Sequence, residues 1–361
     1  MKTQNGLIVM AQGVASAPAL HQSYSEQGGP SEPKPPQRRE AHRHTYGAID
    51  LGTNNCRLLV ARPNEHGFTV IDAFSRIVRL GEGLSLTGEL SQDAMDRAVG
   101  ALGICADKLR RRNVSLSRSV ATEACRRARN GQEFADRVRD ETGIVLDIIP
   151  PQEEARLAVL GCHKLLEPGD GPALIFDIGG GSTELVLIDH VDGTPKIRSW
   201  WSAPWGVVSL TESEGKEALE GPERLAAYKR MRERARHAFS RFAEMLPQAR
   251  EGIRLLGTSG TVTTLASVHL ALPCYDRRAV DGLHVPIEAM QKISEMIAEM
   301  DYAARAALPC IGAERADLVV AGCAILEAII EIWPAANLGV ADRGIREGIL
   351  RSLMARDGWP L

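Results

Sequence analysis

Ala48-Ile49-Asp50-Leu51-Gly52-Thr53-Asn54-Asn55 runs straight into Cys56-Arg57-Leu58-Leu59-Val60. The stretch reads as a strand, a tight glycine and polar turn, and a second strand. The same plan recurs at Leu174-Ile175-Phe176-Asp177-Ile178-Gly179-Gly180-Gly181-Ser182-Thr183-Glu184, followed by Leu185-Val186-Leu187-Ile188. Each is a hairpin with an aspartate at its strand end and a tip of backbone N–H groups and small hydroxyls. Glycine carries no Cβ and tolerates positive φ, so such a tip can approach a phosphate closely. The aspartate beside it is placed to hold a hydrated Mg²⁺ rather than to meet the anion directly. A single Asp-x-Gly hairpin is usually only a turn. Two, each leading a block of domain size, point to a duplicated fold gripping one phosphate chain from both sides.

A third segment, Leu255-Leu256-Gly257-Thr258-Ser259-Gly260-Thr261, reads as a strand, a polar loop and a helix start. Its free N–H groups can face an anion; alone it would be an ordinary capped strand-to-helix turn. Between the motifs, the meander takes in Gly47 to Leu51, Arg57 to Ala61 and Phe68 to Ser75. Ser91 caps a helix through Arg110, Ser117 to Thr122 is a strand, and Gly131 to Thr142 is a helix. Val145 to Ile149 is a strand, and Pro150-Pro151-Gln152-Glu153-Glu154 opens another helix. Ala173 to Ile188, Lys196 to Trp201 and Val207 to Leu210 are read as a repeat of the three-strand opening. A charged helix over about Pro222 to Leu246 follows.

At 361 residues the chain exceeds one ordinary core, so two domains are expected. A net charge of −3 does not indicate a broad nucleic-acid face, so any polyanion must be met by a local basic groove. Seven cysteines without a CxxC pair read as small buried hydrophobes of a reducing, cytoplasmic compartment. Residues 1–45 read as a disordered tail, rich in Ser, Gly, Pro and Gln. Gly6 to Val14 with Ala15-Ser16-Ala17 makes a poor secretory signal, and Met10 is an alternative start. No apolar run is long enough to cross a bilayer.

The two hairpins and the Thr-Ser-Gly-Thr loop, Thr258 to Thr261, resemble the exopolyphosphatase / guanosine pentaphosphate phosphatase (Ppx/GppA) family, within the actin, sugar-kinase and heat-shock ATPase superfamily. Further stretches match it in family order: Arg79-Leu80-Gly81-Glu82-Gly83-Leu84, Val120-Ala121-Thr122-Glu123-Ala124-Cys125-Arg126, Glu153-Glu154-Ala155-Arg156, Pro204 to Glu212 and Gly344-Ile345-Arg346-Glu347-Gly348. Together they span about residues 46 to 350, far more specific than any lone glycine-rich loop. Asn55 departs from the serine usual there, which removes a hydroxyl from the first motif.

The resemblance implies an α/β protein of two actin-like, ribonuclease H-like domains with mixed five-stranded sheets and an interdomain cleft. Residues 46–158 would form the first domain and 159–361 the second. It implies catalytic roles for Glu154 and Glu184, with Glu154 orienting and deprotonating a water. Glu153 is the alternative should the register be off by one. A helix N-terminus would keep Glu154 ionised. Mg²⁺ would be held by Asp50, Asp177 and Glu184. Phosphate contacts fall to Gly52, Thr53, Asn54, Asn55, Arg57, Arg126, Gly179, Gly180, Gly181, Ser182, Thr183, Ser259, Gly260 and Thr261. Arg126 has the competing reading of a solvated helix face. His163 and His284 read as structural or solvated, and Trp200, Trp201 and Trp205 as packing rather than a guanine platform.

The implied activity is Mg²⁺-dependent release of orthophosphate from inorganic polyphosphate. The alternatives are removal of the 5′-terminal phosphate of guanosine pentaphosphate and, from another class, a nucleotide-binding scaffold without turnover. Neither nucleic acid nor membrane is an expected partner. A homodimer is the oligomer considered, because it would lengthen an otherwise short groove.

Overall fold

The computed structural model describes residues 44–359 apart from 168, 170, 192, 193 and 247–251, so residues 1–43 of the expected tail lie outside the described residues, while its last residue, Thr45, is buried and its carbonyl accepts from the Ser115 amide at 2.8 Å. The first sheet is built from β1 (Tyr46–Leu51), β2 (Asn55–Asn64), β3 (Gly67–Ile77), β4 (Leu116–Ala121) and β5 (Leu146–Ile148), in the order β3-β2-β1-β4-β5. β1 runs antiparallel to β2 and parallel to β4, which makes the sheet mixed. Five of the six β1 residues are buried, as a strand covered on both faces requires. The helices α1 (Gln92–Arg111), α2 (Glu123–Arg127) and α3 (Gly131–Thr142) belong to this half. The Ser91 hydroxyl caps α1 by accepting from the Ala94 N–H at 3.3 Å.

Next come α4 (Pro151–Cys162) and the second sheet: β6 (Pro172–Ile178), β7 (Thr183–Val191), β8 (Thr194–Ala203), β9 (Arg254–Thr258), β10 (His284–Pro286) and β11 (Asn337–Ala341). Its order, β10-β11-β9-β6-β7-β8, has six strands rather than five, because three residues of β10 add to the edge antiparallel to β11. Val207 to Leu210 is not a strand. It is the start of α5 (Val207–Glu214), and β6, β7 and β8 alone repeat the opening meander. The reason is partly local and partly distant: the Gly206 N–H donates to the Ser209 hydroxyl at 2.9 Å, capping a helix whose Val207 and Val208 amides donate to the Gly179 and Gly180 carbonyls of the second turn. Past β8 the main helices are α5, α6 (Arg224–Glu244), α7 (Gly260–His269), α8 (Ile287–Glu299), α9 (Val319–Ile332) and α10 (Ile345–Arg356). α9 buries twelve of its fourteen residues, Glu327 among them, and packs chiefly against α6, α8 and α5.

Two helices join the halves. α4 faces both cores: Leu157 and Ala158 pack with β1, β2 and α10, while Ala155, Val159 and Cys162 pack with β6, β7 and β9. A boundary at residue 158 therefore falls inside one helix. The last helix, α10, returns to lie on the first sheet through Ile349, Leu350 and Leu353. The α4–α10 crossing is tight enough to exclude any side chain at two points. A Cβ on Gly161 would stand 2.0 Å from the Gly344 carbonyl oxygen, and one on Gly348 2.0 Å from that of Leu157.

Candidate active site

Both hairpin turns close by the same bond, Gly52 N–H to the Asn55 carbonyl and Gly179 N–H to the Ser182 carbonyl, each 2.9 Å. They meet face to face. A Cβ on Gly180 would lie 2.8 Å from Thr53 Cβ and 3.2 Å from the Asn54 nitrogen. None of the glycines in either turn has a positive φ. The positive φ that glycine tolerates is therefore not used in the turns, and the missing Cβ is: at Gly180 close approach across the cleft excludes a side chain.

Between the turns lies a cleft with about 960 Å³ of open space. It is lined by Asp50, Gly52, Thr53, Asn54, Asn55 and Arg57 from the first half. Asp177, Gly179, Gly180, Gly181, Ser182, Glu184, Ser259, Gly260 and Thr261 line it from the second, and Glu154 from α4. Sixteen of the eighteen residues named from the sequence thus come together. Thr183 does not join them: it is fully buried, and its hydroxyl donates to the Trp205 carbonyl at 2.7 Å. Arg126 also stands off the lining, its guanidinium bonded to Glu123 at 2.6 Å, to Glu154 at 3.1 Å and to the Ile149 carbonyl at 2.6 Å. It holds a carboxylate rather than standing free for a phosphate.

Five carboxyl groups line this space: Asp50, Glu123, Glu154, Asp177 and Glu184. Asp177 is pushed up to about 8 by burial first and then by Glu184. Burial raises Asp50, against the opposing charges of Arg57 and Arg346. Burial raises Glu184 too, although the Ser182 and Ser202 hydroxyls donate to its Oε1 at 2.7 and 2.9 Å. Glu154, only 6 % exposed, is held well above the usual carboxylate range by burial and by Glu184, with Arg126 pulling the other way. In the metal-free cleft, burial among like charges therefore works against the helix N-terminus that was expected to keep Glu154 ionised. Glu153 has the opposite fate. It pairs with Arg156 and Arg118, each at 2.7 Å, on the outside of α4, and those partners lower its pKa.

The third loop is Ser259, which caps α7 by accepting from the Val262 N–H at 3.3 Å. Its backbone, φ 145° and ψ 171°, lies in a region ordinarily restricted to glycine. Such strain, at a residue lining the cleft, is of the kind found at ligand clamps. Arg57 reaches across from β2 toward Gly260, whose Cβ would stand 3.9 Å from the guanidinium.

Sequence reasoning missed Arg315, which lines the cleft and donates to the Thr264 hydroxyl at 3.0 Å. The signal was its place just ahead of the largely apolar α9. His163 is buried with its Nδ1 3.0 Å from the Val159 carbonyl, and His284 is exposed on β10. Trp201 and Trp205 pack on the second core and Trp200 on the core beside α4, away from the cleft lining. Six of the seven cysteines are buried and Cys274 is exposed. No helix among the described residues is long and apolar enough to cross a membrane.

Two mixed α/β halves around a cleft floored by paired phosphate-type turns define an actin-like two-domain protein. The Ppx/GppA phosphatase family model matches residues 59–357, and the chain belongs to that family. Exopolyphosphatase 2 of Mycobacterium tuberculosis is 31% identical over 323 residues, covering 85% of this chain and 97% of that protein. Guanosine-5'-triphosphate,3'-diphosphate pyrophosphatase of Photobacterium profundum is 27% identical over 311 residues, covering 86% of this chain and 59% of that protein. Among solved structures, the Aquifex aeolicus PPX-GPPA enzyme superposes with a TM-score of 0.70 at 31% identity, covering 86% of this chain and 99% of that one. Membership makes this chain a phosphoanhydride hydrolase.

Proposed function

We propose that the protein is an Mg²⁺-dependent exopolyphosphatase, releasing orthophosphate from the end of inorganic polyphosphate. The observation that carries this reading is the buried Glu154 carboxylate, facing the cleft where the two phosphate turns meet. A scaffold that only binds a nucleotide has no use for a desolvated acid at that point. The relative named exopolyphosphatase is matched over nearly its whole length, which also favours this substrate.

The donor set fits magnesium. Asp50, Asp177 and Glu184 offer hard oxygen ligands, and their raised pKa values express a demand for positive charge. Among the described residues no three His, Cys, Asp or Glu side chains form a ready-made cage. Mg²⁺ ordinarily keeps several waters and takes one or two carboxylates plus substrate phosphates, so the site does not require a closed protein cage. When bound, the ion supplies charge to the phosphoryl oxygens and favours ionised carboxylates around it. The terminal phosphate rests on the N–H groups of the turns and on Arg57, whose fork suits a phosphate. Glu154, oriented by Arg126, holds the water and accepts its proton. Phosphoryl transfer asks mainly for this positioning and for charge.

Guanosine pentaphosphate is the second reading, and one observation favours it. The cleft wall includes Ile178, Val207, Leu318, Val319 and Ile345, apolar surface that a bare phosphate chain does not use and a nucleoside does. Orthophosphate release from polyphosphate, guanosine pentaphosphate and ATP, compared side by side with Mg²⁺, tests the assignment. Highest kcat/KM on polyphosphate supports it. Highest kcat/KM on guanosine pentaphosphate replaces it with the second reading, and no release from any of the three contradicts both.

A further inference from the structure

Two of the sequence stretches matched to the family take no part in the chemistry above, and the fold brings them together. Residues 78–85 form a strap that leaves β3 and crosses beneath the first phosphate turn. The Asn54 carbonyl accepts from the Val78 and Arg79 amides at 2.9 and 3.0 Å, and the Thr53 carbonyl from Gly81 at 2.9 Å. From the other half, α5 starts on the second turn, where Val207 and Val208 amides donate to the Gly179 and Gly180 carbonyls at 2.9 and 2.8 Å. Glu212, about one and a half turns along α5, closes the gap. Its Oε1 accepts from the Gly83 N–H at 2.8 Å, and its Oε2 from the Ser85 hydroxyl.

The strap is shaped for that contact. Gly83 has φ 75° with open space where a Cβ would be, so the conformation rather than crowding favours glycine there. Arg79 is left-handed as well, at φ 47°, a costly state for a side-chain-bearing residue. Its guanidinium donates to Asp317 at 3.0 Å, a second contact with the far half, while Arg97 clamps the strap from its own half through the Val78 carbonyl at 2.9 Å.

We propose that Glu212 is a positioning residue that closes a hydrogen-bonded ring, first turn to strap to α5 to second turn, so that the two turns grip one phosphate chain as a unit. The ring acts through the turns, since Glu212 does not line the cleft. The inference rests on the reading of the cleft as a polyphosphate site. The test uses the full chain and the variants Glu212→Ala, Glu212→Gln and Ser85→Ala, with hydrogen exchange at residues 78–85 and steady-state kinetics on polyphosphate. One charge-assisted hydrogen bond is worth about tenfold in an equilibrium. Exchange at Gly83 should therefore quicken about tenfold in Glu212→Ala, while the Val78 and Arg79 amides keep their protection. KM should rise about tenfold with kcat held within about twofold. Glu212→Gln, which keeps one acceptor oxygen, should fall between Glu212→Ala and the parent, as should Ser85→Ala, which keeps the Gly83 bond; these two carry the test if Glu212→Ala does not fold. Unchanged exchange at Gly83 overturns the ring, and so does faster exchange with an unaltered KM. Should the parent not hydrolyse polyphosphate, the substrate reading fails, and exchange alone still decides whether Glu212 holds the strap.

Discussion

The two hairpins share a scaffold and carry opposite charges at matching positions. In the first, Asp50 pairs across the strands with Arg57; in the second, Asp177 pairs with Glu184. Arg57 therefore offsets Asp50, whereas Glu184 adds to the burial that lifts Asp177 to about 8. In the proposed reading, one arm of the cleft presents a cation to phosphate, and the other concentrates acids around a metal ion. The same turn occurs twice, and the residue opposite each aspartate sets the two apart.

Glu154, beside both aspartates, is where loss should be greatest. Glu154→Gln should lower kcat on the order of 10²–10⁴ with KM within a few-fold, measured by orthophosphate release. Glu153→Gln should leave turnover near normal, because its ion pairs face outward from the helix. The reverse result would move the catalytic role by one residue.

The glycines of the two turns should also differ. Gly180→Ala forces Thr53 away and should cost about 1–3 kcal/mol in thermal unfolding, with activity falling in step. A Cβ on Gly52 meets only the Asn55 carbonyl oxygen, at 3.6 Å, and Gly52→Ala should stay within about 0.5 kcal/mol. Equal losses would mean that the turns are not pressed together.

The charge difference has a pH signature. Asp177 binds its proton more tightly folded than unfolded, so metal-free stability should be highest below pH 4 as far as this group is concerned. It should fall as pH rises toward about 8, by at most about 1.4 kcal/mol per pH unit. Asp177→Asn should flatten that slope and weaken activation by Mg²⁺, and Glu184→Gln should move the slope to lower pH. A metal-free stability that does not change between pH 5 and 8 would remove Asp177 from this role. Deleting residues 1–40, outside the described fold, should change neither turnover nor melting temperature, and a loss of either would show the segment to be structural.

Much of this was legible because it lay in local patterns. Asp-x-Gly turns between apolar runs, the Ser91 cap and the proline-led start of α4 each fix an element within a few residues. What escaped depended on contacts distant in sequence. Val207 to Leu210 has the β-branched look of a strand, but the Ser209 cap and the carbonyls of the second turn make it helix. Thr183 alternates to the wrong face of β7, and Arg126, besides Glu123 three residues back, finds Glu154, a carboxylate that only the fold brings near. Glu154 was recognisable as an acid in a first turn, but its desolvation was not, since burial is a property of both halves closed around it.

The central claim is that water attacks the terminal phosphorus in the cleft beside Glu154. Hydrolysis of polyphosphate in heavy-oxygen water, followed by mass spectrometry of the products, addresses it directly. The account predicts one heavy oxygen in each released orthophosphate and none in the shortened chain. Label in the shortened chain, or orthophosphate without label, would contradict it.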